Sequence, residues 1–154
     1  MFLETLSLAV IMLSIDMVWL TARYKYHNDI FRGIQGTDPK IRLIPAMLIY
    51  ILIPIAVMVF AVLPSTEIET AALRGAFLGF CMYGVYDLTN YATLRNYTLE
   101  MTVTDMAWGT FICSVGASVA YILRRHVFRR QYSMFNLSWL SHFKYQYPQK
   151  RIEI

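Results

Sequence analysis

The sequence predicts an all-α integral membrane bundle of four transmembrane helices, followed by a basic, aromatic C-terminal tail. Three observations carry this. Of 154 residues, 57% are hydrophobic and only 16% are charged. The mean hydropathy is +0.44. The apolar residues gather in continuous blocks of about twenty, the length that crosses about 30 Å of hydrocarbon as a helix. A membrane β-barrel would alternate instead of running continuously. A water-soluble core would show amphipathic periods throughout.

Span one is expected over about Phe2–Ala22. No basic residue precedes this block, it is too long for a signal-peptide core, and it lacks a clear small-x-small cleavage site. It reads as a retained span. The following segment, Arg23–Arg42, holds Arg23, Lys25, Arg32, Lys40 and Arg42 with Gly33, Gly36 and Pro39 as breakers, and reads as a loop. Span two is expected over Leu43–Leu63, entered through Pro45 and closed by Pro64. Pro54 inside it removes one backbone donor, leaves the Tyr50 carbonyl without its usual partner, and predicts a kink.

Span three is expected over Ala71–Tyr91 and span four over Thr104–Leu123. Both carry small residues at helical spacing: Ala71, Gly75 and Gly79 on one, Gly109, Cys113, Gly116 and Ala120 on the other. Such stripes let backbones approach where lipid offers no hydrophobic drive. Together with their short connection, they predict that these spans are neighbours. Cys81 and Cys113 lie in mid-span without ligand spacing and read as small packing residues. No metal site and no cofactor are implied.

Residues 1–123 thus form the membrane domain and residues 124–154 the tail. The tail opens with Arg124, Arg125, Arg129 and Arg130. Tyr132, Phe135, Trp139, Phe143 and Tyr147 then recur every three or four residues. A helix over 132–147 would put these aromatics on one side, suited to the bilayer interface or to a membrane-protein partner. The net charge of +4 accompanies no nucleic-acid motif, so the lipid bilayer is the expected partner and nucleic acid is not. Basic residues flank the spans on both sides, which leaves orientation open. The absence of basic residues before span one favours a cytoplasmic first loop. That side is called face X below, and the opposite side face Y.

The functional clue is a set of aspartates inside the spans: Asp16, Asp87 and Asp105. A carboxylate in hydrocarbon is costly and rarely persists without a partner or a task. Asp16 lies roughly 10 Å before Arg23, Asp87 roughly 12 Å before Arg95, and Asp105 roughly 8 Å after Glu100, at 1.5 Å per helical residue. All three therefore sit at similar depth near face X. Tyr83, Asp87, Asn90 and Tyr91 share a face of span three. Trp19 and Trp108 stand three residues after Asp16 and Asp105, in the strings DMVWLT and DMAWGT. An inverted internal repeat is one reading of these strings, and parallel constraint is the other. The expected polar site is Asp16, Tyr83, Asp87, Asn90, Tyr91 and Asp105, rimmed by Trp19, Arg95 and Trp108. Gly75, Gly79, Gly109 and Gly116 are expected to serve helix packing. Structural readings stand beside this: Asp105 as a cap for span four, Asp87 as an acceptor for Thr89 or Asn90 where span three unwinds, and Asp16 as an acceptor for Tyr83, Asn90, Arg95 or a protonated sister carboxylate. His27, His126 and His142 lie outside the spans and read as surface or interfacial residues.

The run Tyr83-Gly-Val-Tyr-Asp-Leu-Thr-Asn-Tyr-Ala-Thr-Leu94, with Asp105-Met-Ala-Trp-Gly109, resembles a mainly bacterial family of four-span membrane proteins of unknown function. Asp16-Met-Val-Trp19 and the span from Pro45 to Pro64 resemble its pattern too. The resemblance covers about Phe2–Leu123, and the tail departs from it. It implies the architecture and the choice of polar residues, and it implies no chemistry. Three functions remain open. One is proton-coupled or small-solute transport through the polar cluster, and another is an accessory subunit of a membrane assembly. The third, a lipid-active enzyme, ranks last because no nucleophile or metal motif accompanies the cluster, so catalytic residues are not assigned.

Overall fold

The computed structural model describes residues 2–128. The expectation for the aromatic tail, Tyr132–Tyr147, lies outside the described residues. Four helices follow one another: α1 (Phe2–Gln35), α2 (Leu43–Ala56), α3 (Ile68–Thr93) and α4 (Leu99–Leu123). Wider π-helical turns extend α2 over Val57–Val62 and α4 over Arg124–Phe128.

Three of the described helical stretches are long and apolar enough to cross a membrane: Phe2–Gln35, Leu43–Val62 and Leu99–His126. At 26 residues α3 has the length as well. Its glycines, tyrosines and Asp87 lower its hydropathy. Its outer side still presents apolar groups, with Leu73, Phe77, Phe80, Val85 and Leu88 all exposed. The chain is a multi-pass membrane protein, and every regular element among its described residues is a helix.

The first correction concerns α1. The basic segment expected as a loop continues the helix for three more turns, and the helix is 34 residues long. Arg23–Gln35 contains no proline, and Lys25 pairs with Asp29 one turn on, at 2.7 Å. The helix passes through Gly33 and stops at Gly36, whose φ of +75° is the left-handed conformation that glycine adopts freely. The extension docks on the α3–α4 connection: Tyr26 and Thr98 share a hydroxyl hydrogen bond of 2.9 Å, and Asn96 Nδ2 donates to the Gly33 carbonyl at 3.1 Å.

In α2, Pro54 is buried and the π-helical stretch follows it. The wide turn sets Val57 and Met58, then Ala61 and Val62, side by side on the buried face. These four join Leu8, Met12, Ile112 and Ala117 in the apolar core. Before Pro54 the helix is barely held, because Pro54 is its single buried residue.

Helices α3 and α4 form an antiparallel hairpin along one seam. Every fourth residue of α3 faces it: Ala71, Gly75, Gly79, Tyr83 and Asp87. Met101, Asp105, Gly109, Cys113 and Ala117 answer from α4. A Cβ at Gly75 would lie 2.4 Å from the Cys113 carbonyl oxygen, and one at Gly79 would lie 2.1 Å from that of Gly109. Backbone touches backbone there, so no side chain fits. A Cβ at Gly116 would meet Met12 and Leu8 at 3.2 and 3.3 Å, which seats α1 on α4.

Candidate functional site

Toward face X the seam changes character. Tyr83 follows the small residues of α3, and its ring lies flat over Gly109, where a Cβ would come within 2.1 Å of the ring. Asp87 comes one turn later and is fully buried. Its Oδ1 accepts a 2.5 Å hydrogen bond from the Tyr97 hydroxyl. Tyr97 belongs to the α3–α4 connection. Asn96 before it takes φ +70°, a conformation asparagine tolerates better than most residues, and this turn brings Tyr97 inward. Asn90 stands beside Tyr86 and Tyr97.

Helix α4 begins with Thr98, whose hydroxyl accepts from the Met101 amide at 3.1 Å. The cap is therefore Thr98, and the reading of Asp105 as a cap is corrected. Asp105 lies two turns inside α4, its side chain only 15% exposed. The alternative reading of Asp87, as an acceptor for Thr89 or Asn90 in an unwound end, also gives way. At Asp87 α3 is regular helix, and the donor is Tyr97.

Asp16 is held by two donors from two helices, and the expected donors Tyr83, Asn90 and Arg95 give way to them. Tyr50 of α2 donates to Oδ2 at 2.7 Å, and the Trp108 indole of α4 donates to Oδ1 at 2.9 Å. The Trp19 indole in turn stands beside Asp105. The two indoles stack, with centroids 4.7 Å apart and planes 7° from parallel. Each Asp-x-x-Trp string thus sends its tryptophan to the other string's aspartate.

The α1 extension covers the face-X end of this group. The Arg23 guanidinium lies 4.2 Å over the Tyr26 ring and reaches Glu100 at 3.2 Å. One turn on, His27 faces Asp105 with Nε2 and Oδ1 3.7 Å apart. That distance is an ion-pair approach and too long for a hydrogen bond. Both atoms are buried and make no hydrogen bond within the described residues; the same holds for Asp87 Oδ2 and Arg23 Nε. The groups also sense one another's charge: Asp105 with Asp16 and Arg23, and Asp87 with Asp105 and His27.

The residues expected from sequence divide as follows. Asp16, Asp87, Asp105, Tyr83, Trp19 and Trp108 come together, with Asn90 at their edge. Tyr91 points outward, 46% exposed, and Arg95 is exposed on the α3–α4 connection, so neither belongs to the group. Of the two readings of His27, surface or interfacial, the surface one gives way, since its side chain is 14% exposed and it faces Asp105. Arg23, Tyr50 and Tyr97 complete the group unannounced. Two signals point to the missing members. Asp16, Trp19, Arg23 and His27 follow at helical steps of three and four, and Tyr50 is the one hydroxyl in an otherwise apolar span. No group of three or more potential metal ligands occurs among the described residues.

A family described as "Predicted membrane protein (DUF2177)" matches residues 1–122. The chain belongs to that family. The matched stretch contains every residue of the polar group, so the DUF2177 family model and the polar group cover the same part of the chain. Among curated proteins and among solved structures, no match is found.

Proposed function

We propose that this protein takes up a proton, or a small cationic or polar solute, from face X through the group Asp87, Asp105 and His27. One observation carries the reading: Asp87 Oδ2, Asp105 Oδ1 and His27 Nε2 are buried and have no hydrogen-bond partner among the described residues. Leaving a buried polar atom unmatched costs on the order of 1–3 kcal/mol. A bundle serving only as a scaffold gains nothing from three of them. Carboxyl groups and an imidazole are also the side chains that exchange protons near neutral pH when environment moves them. Three carboxyl groups facing one arginine and one histidine favour a cation or proton over an anion.

Direction supports the reading as well. On this reading a solute enters past Arg23 and His27 of the α1 extension at face X. Toward face Y the seam closes into Gly75, Gly79, Cys113 and Ala117, beside the apolar core of Leu8, Met12, Val57 and Met58. A solute that enters therefore meets a dry barrier after about half the membrane, and transport requires that barrier to open.

The test is proton or solute flux in proteoliposomes with a pH-sensitive dye inside. The parent protein is expected to dissipate an imposed pH gradient faster than empty vesicles. Asp87→Asn keeps an acceptor for Tyr97 and removes the titratable charge, so it should fold normally and lose the flux. His27→Gln should slow it. Unchanged flux in folded Asp87→Asn would overturn the proposal, and an inactive parent would favour an accessory role in a membrane assembly.

A further inference from the structure

A second site lies outside the Asp87–Asp105–His27 group, between α1 and the first half of α2. A cavity of about 390 Å³ opens there, within the range of small-molecule pockets. Its walls are apolar, with Met12, Met17, Leu20, Ile49 and Ile53 among them. At its polar end stand Asp16, Tyr50 and Tyr83. Met17 and Ile49 are 42% and 52% exposed, so the cavity opens sideways to the hydrocarbon of the bilayer rather than to water. A lateral apolar opening with one carboxyl group at its inner end has the form of a site for an amphiphile.

We infer that this cleft binds a single-chain cationic amphiphile drawn from the bilayer. Its hydrocarbon lies along α1 and α2, and its ammonium head meets Asp16. Complementarity at Asp16 selects the head. Each of its oxygens already accepts one hydrogen bond, from Tyr50 and Trp108, and a carboxyl oxygen has room for a second. A charged donor makes the stronger kind of bond there. An anionic head would meet Asp16 with like charge.

The wall that must move is loosely built. From Leu43 to Ala56 only Pro54 is buried, whereas the π-helical stretch Val57–Val62 after it is anchored in the core. The Tyr50–Asp16 hydrogen bond fastens this arm to α1. Pro54, which removes a backbone hydrogen bond, and the wide turn that follows it lie between the free half and the fixed half. The arm therefore swings about 54–57, with Tyr50 as its catch. A neighbouring groove of about 470 Å³, lined by Phe2, Leu6, Ile51 and Ile55 among others, has no ionisable group and selects no head group.

This inference is independent of proton uptake, and its test reads binding rather than flux, so either reading can fail alone. The full chain is placed in nanodiscs of zwitterionic lipid with dodecylamine carrying a diazirine in its chain. After illumination, labelled peptides are mapped by mass spectrometry. Labelling is expected to concentrate on the stretches holding Met12–Leu20 and Ala46–Ile53. Unlabelled dodecylamine should compete at least about tenfold better than dodecanol or dodecanoate. Ala46→Phe fills the cleft and should remove the concentrated labelling. Asp16→Asn should retain labelling and lose the preference for the amine. The competition series uses the parent protein alone, so it stands even where a variant does not fold. Labelling spread over all exposed faces, including Leu73 and Phe77 of α3, would overturn the inference. So would equal competition by all three compounds.

Discussion

The α3–α4 seam has two ends built on one repeat and put to opposite uses. Toward face Y every fourth position is small, and the helices meet backbone to backbone at Gly75 and Gly79. Toward face X the same repeat continues as Tyr83 and Asp87 against Asp105 and Met101. The first end has no freedom, because nothing as large as a methyl group fits. The second is polar, and several of its buried atoms have no hydrogen-bond partner among the described residues. A small membrane protein can hold charge inside hydrocarbon this way. The close end fixes the relative height of the helices, and that fixed height presents the aspartates to one another.

The largest expected effect comes from breaking the close end. Gly79→Val places a branched side chain where a Cβ already lies 2.1 Å from the Gly109 carbonyl oxygen. That neighbour is backbone, so relief requires the helices to separate. Overpacking costs about 1–3 kcal/mol, occasionally more, and this position belongs at the top of that range. Thermal unfolding in detergent should show a large loss of stability, with the hairpin disrupted. A variant as stable as the parent would mean that the seam does not close there.

The polar end should tolerate change less steeply and more selectively. Asp87→Ala leaves the buried Tyr97 hydroxyl without its acceptor, a loss of roughly 1–3 kcal/mol. Asp87→Asn keeps an acceptor and should cost less in the same unfolding measurement. Equal destabilisation by Ala and Asn would show that charge, rather than the hydrogen bond to Tyr97, holds this end together.

Between these ends lies the crossed Asp–Trp pair. Trp108→Phe removes the donor to Asp16 and retains much of the ring stack. Tyr50→Phe removes the other donor. Hydrogen bonds between membrane helices average about 0.6 kcal/mol and reach about 1.7 kcal/mol. Each variant should therefore lose about 1 kcal/mol. The two share one carboxyl group, so the double variant should depart from additivity. Strict additivity would show that Tyr50 and Trp108 act on Asp16 separately.

The contrast also explains what the sequence made legible. Small residues at steps of four and aspartates in apolar blocks are local signals with one physical meaning each, and they marked the seam and the polar end. Where two readings compete, local signals fail. Arg23–Arg42 has the charge and glycines of a loop, yet no proline interrupts it before Pro39. Docking of Tyr26 on Thr98 and of Gly33 on Asn96 keeps it helical through Gln35. That extension carries His27 over Asp105, so misplacing the helix end also misplaced the histidine. Tyr97 was hidden because its inward course depends on the conformation of Asn96, which is set by the turn as a whole. Arg95 failed for the converse reason: nearness along the chain to Asp87 places it past the helix end, where it faces outward.

The smallest expected effect tests that extension, and its sign is the informative part. Gly33 is helical, exposed, and has nothing within 4 Å of where a Cβ would stand. Glycine inside a helix is worse than alanine by about 0.8–1.0 kcal/mol, because the unfolded chain has more freedom to lose. Gly33→Ala keeps the carbonyl that accepts from Asn96, so docking on the α3–α4 connection survives. The variant should therefore be more stable than the parent, by up to about 1 kcal/mol. Gly36→Ala, one turn later at φ +75°, should be less stable, because alanine has a Cβ that opposes that conformation. Opposite signs at two glycines three residues apart place the end of α1 between them. If both substitutions destabilise, Arg23–Arg42 is a loop, and His27 loses the scaffold that holds it against Asp105.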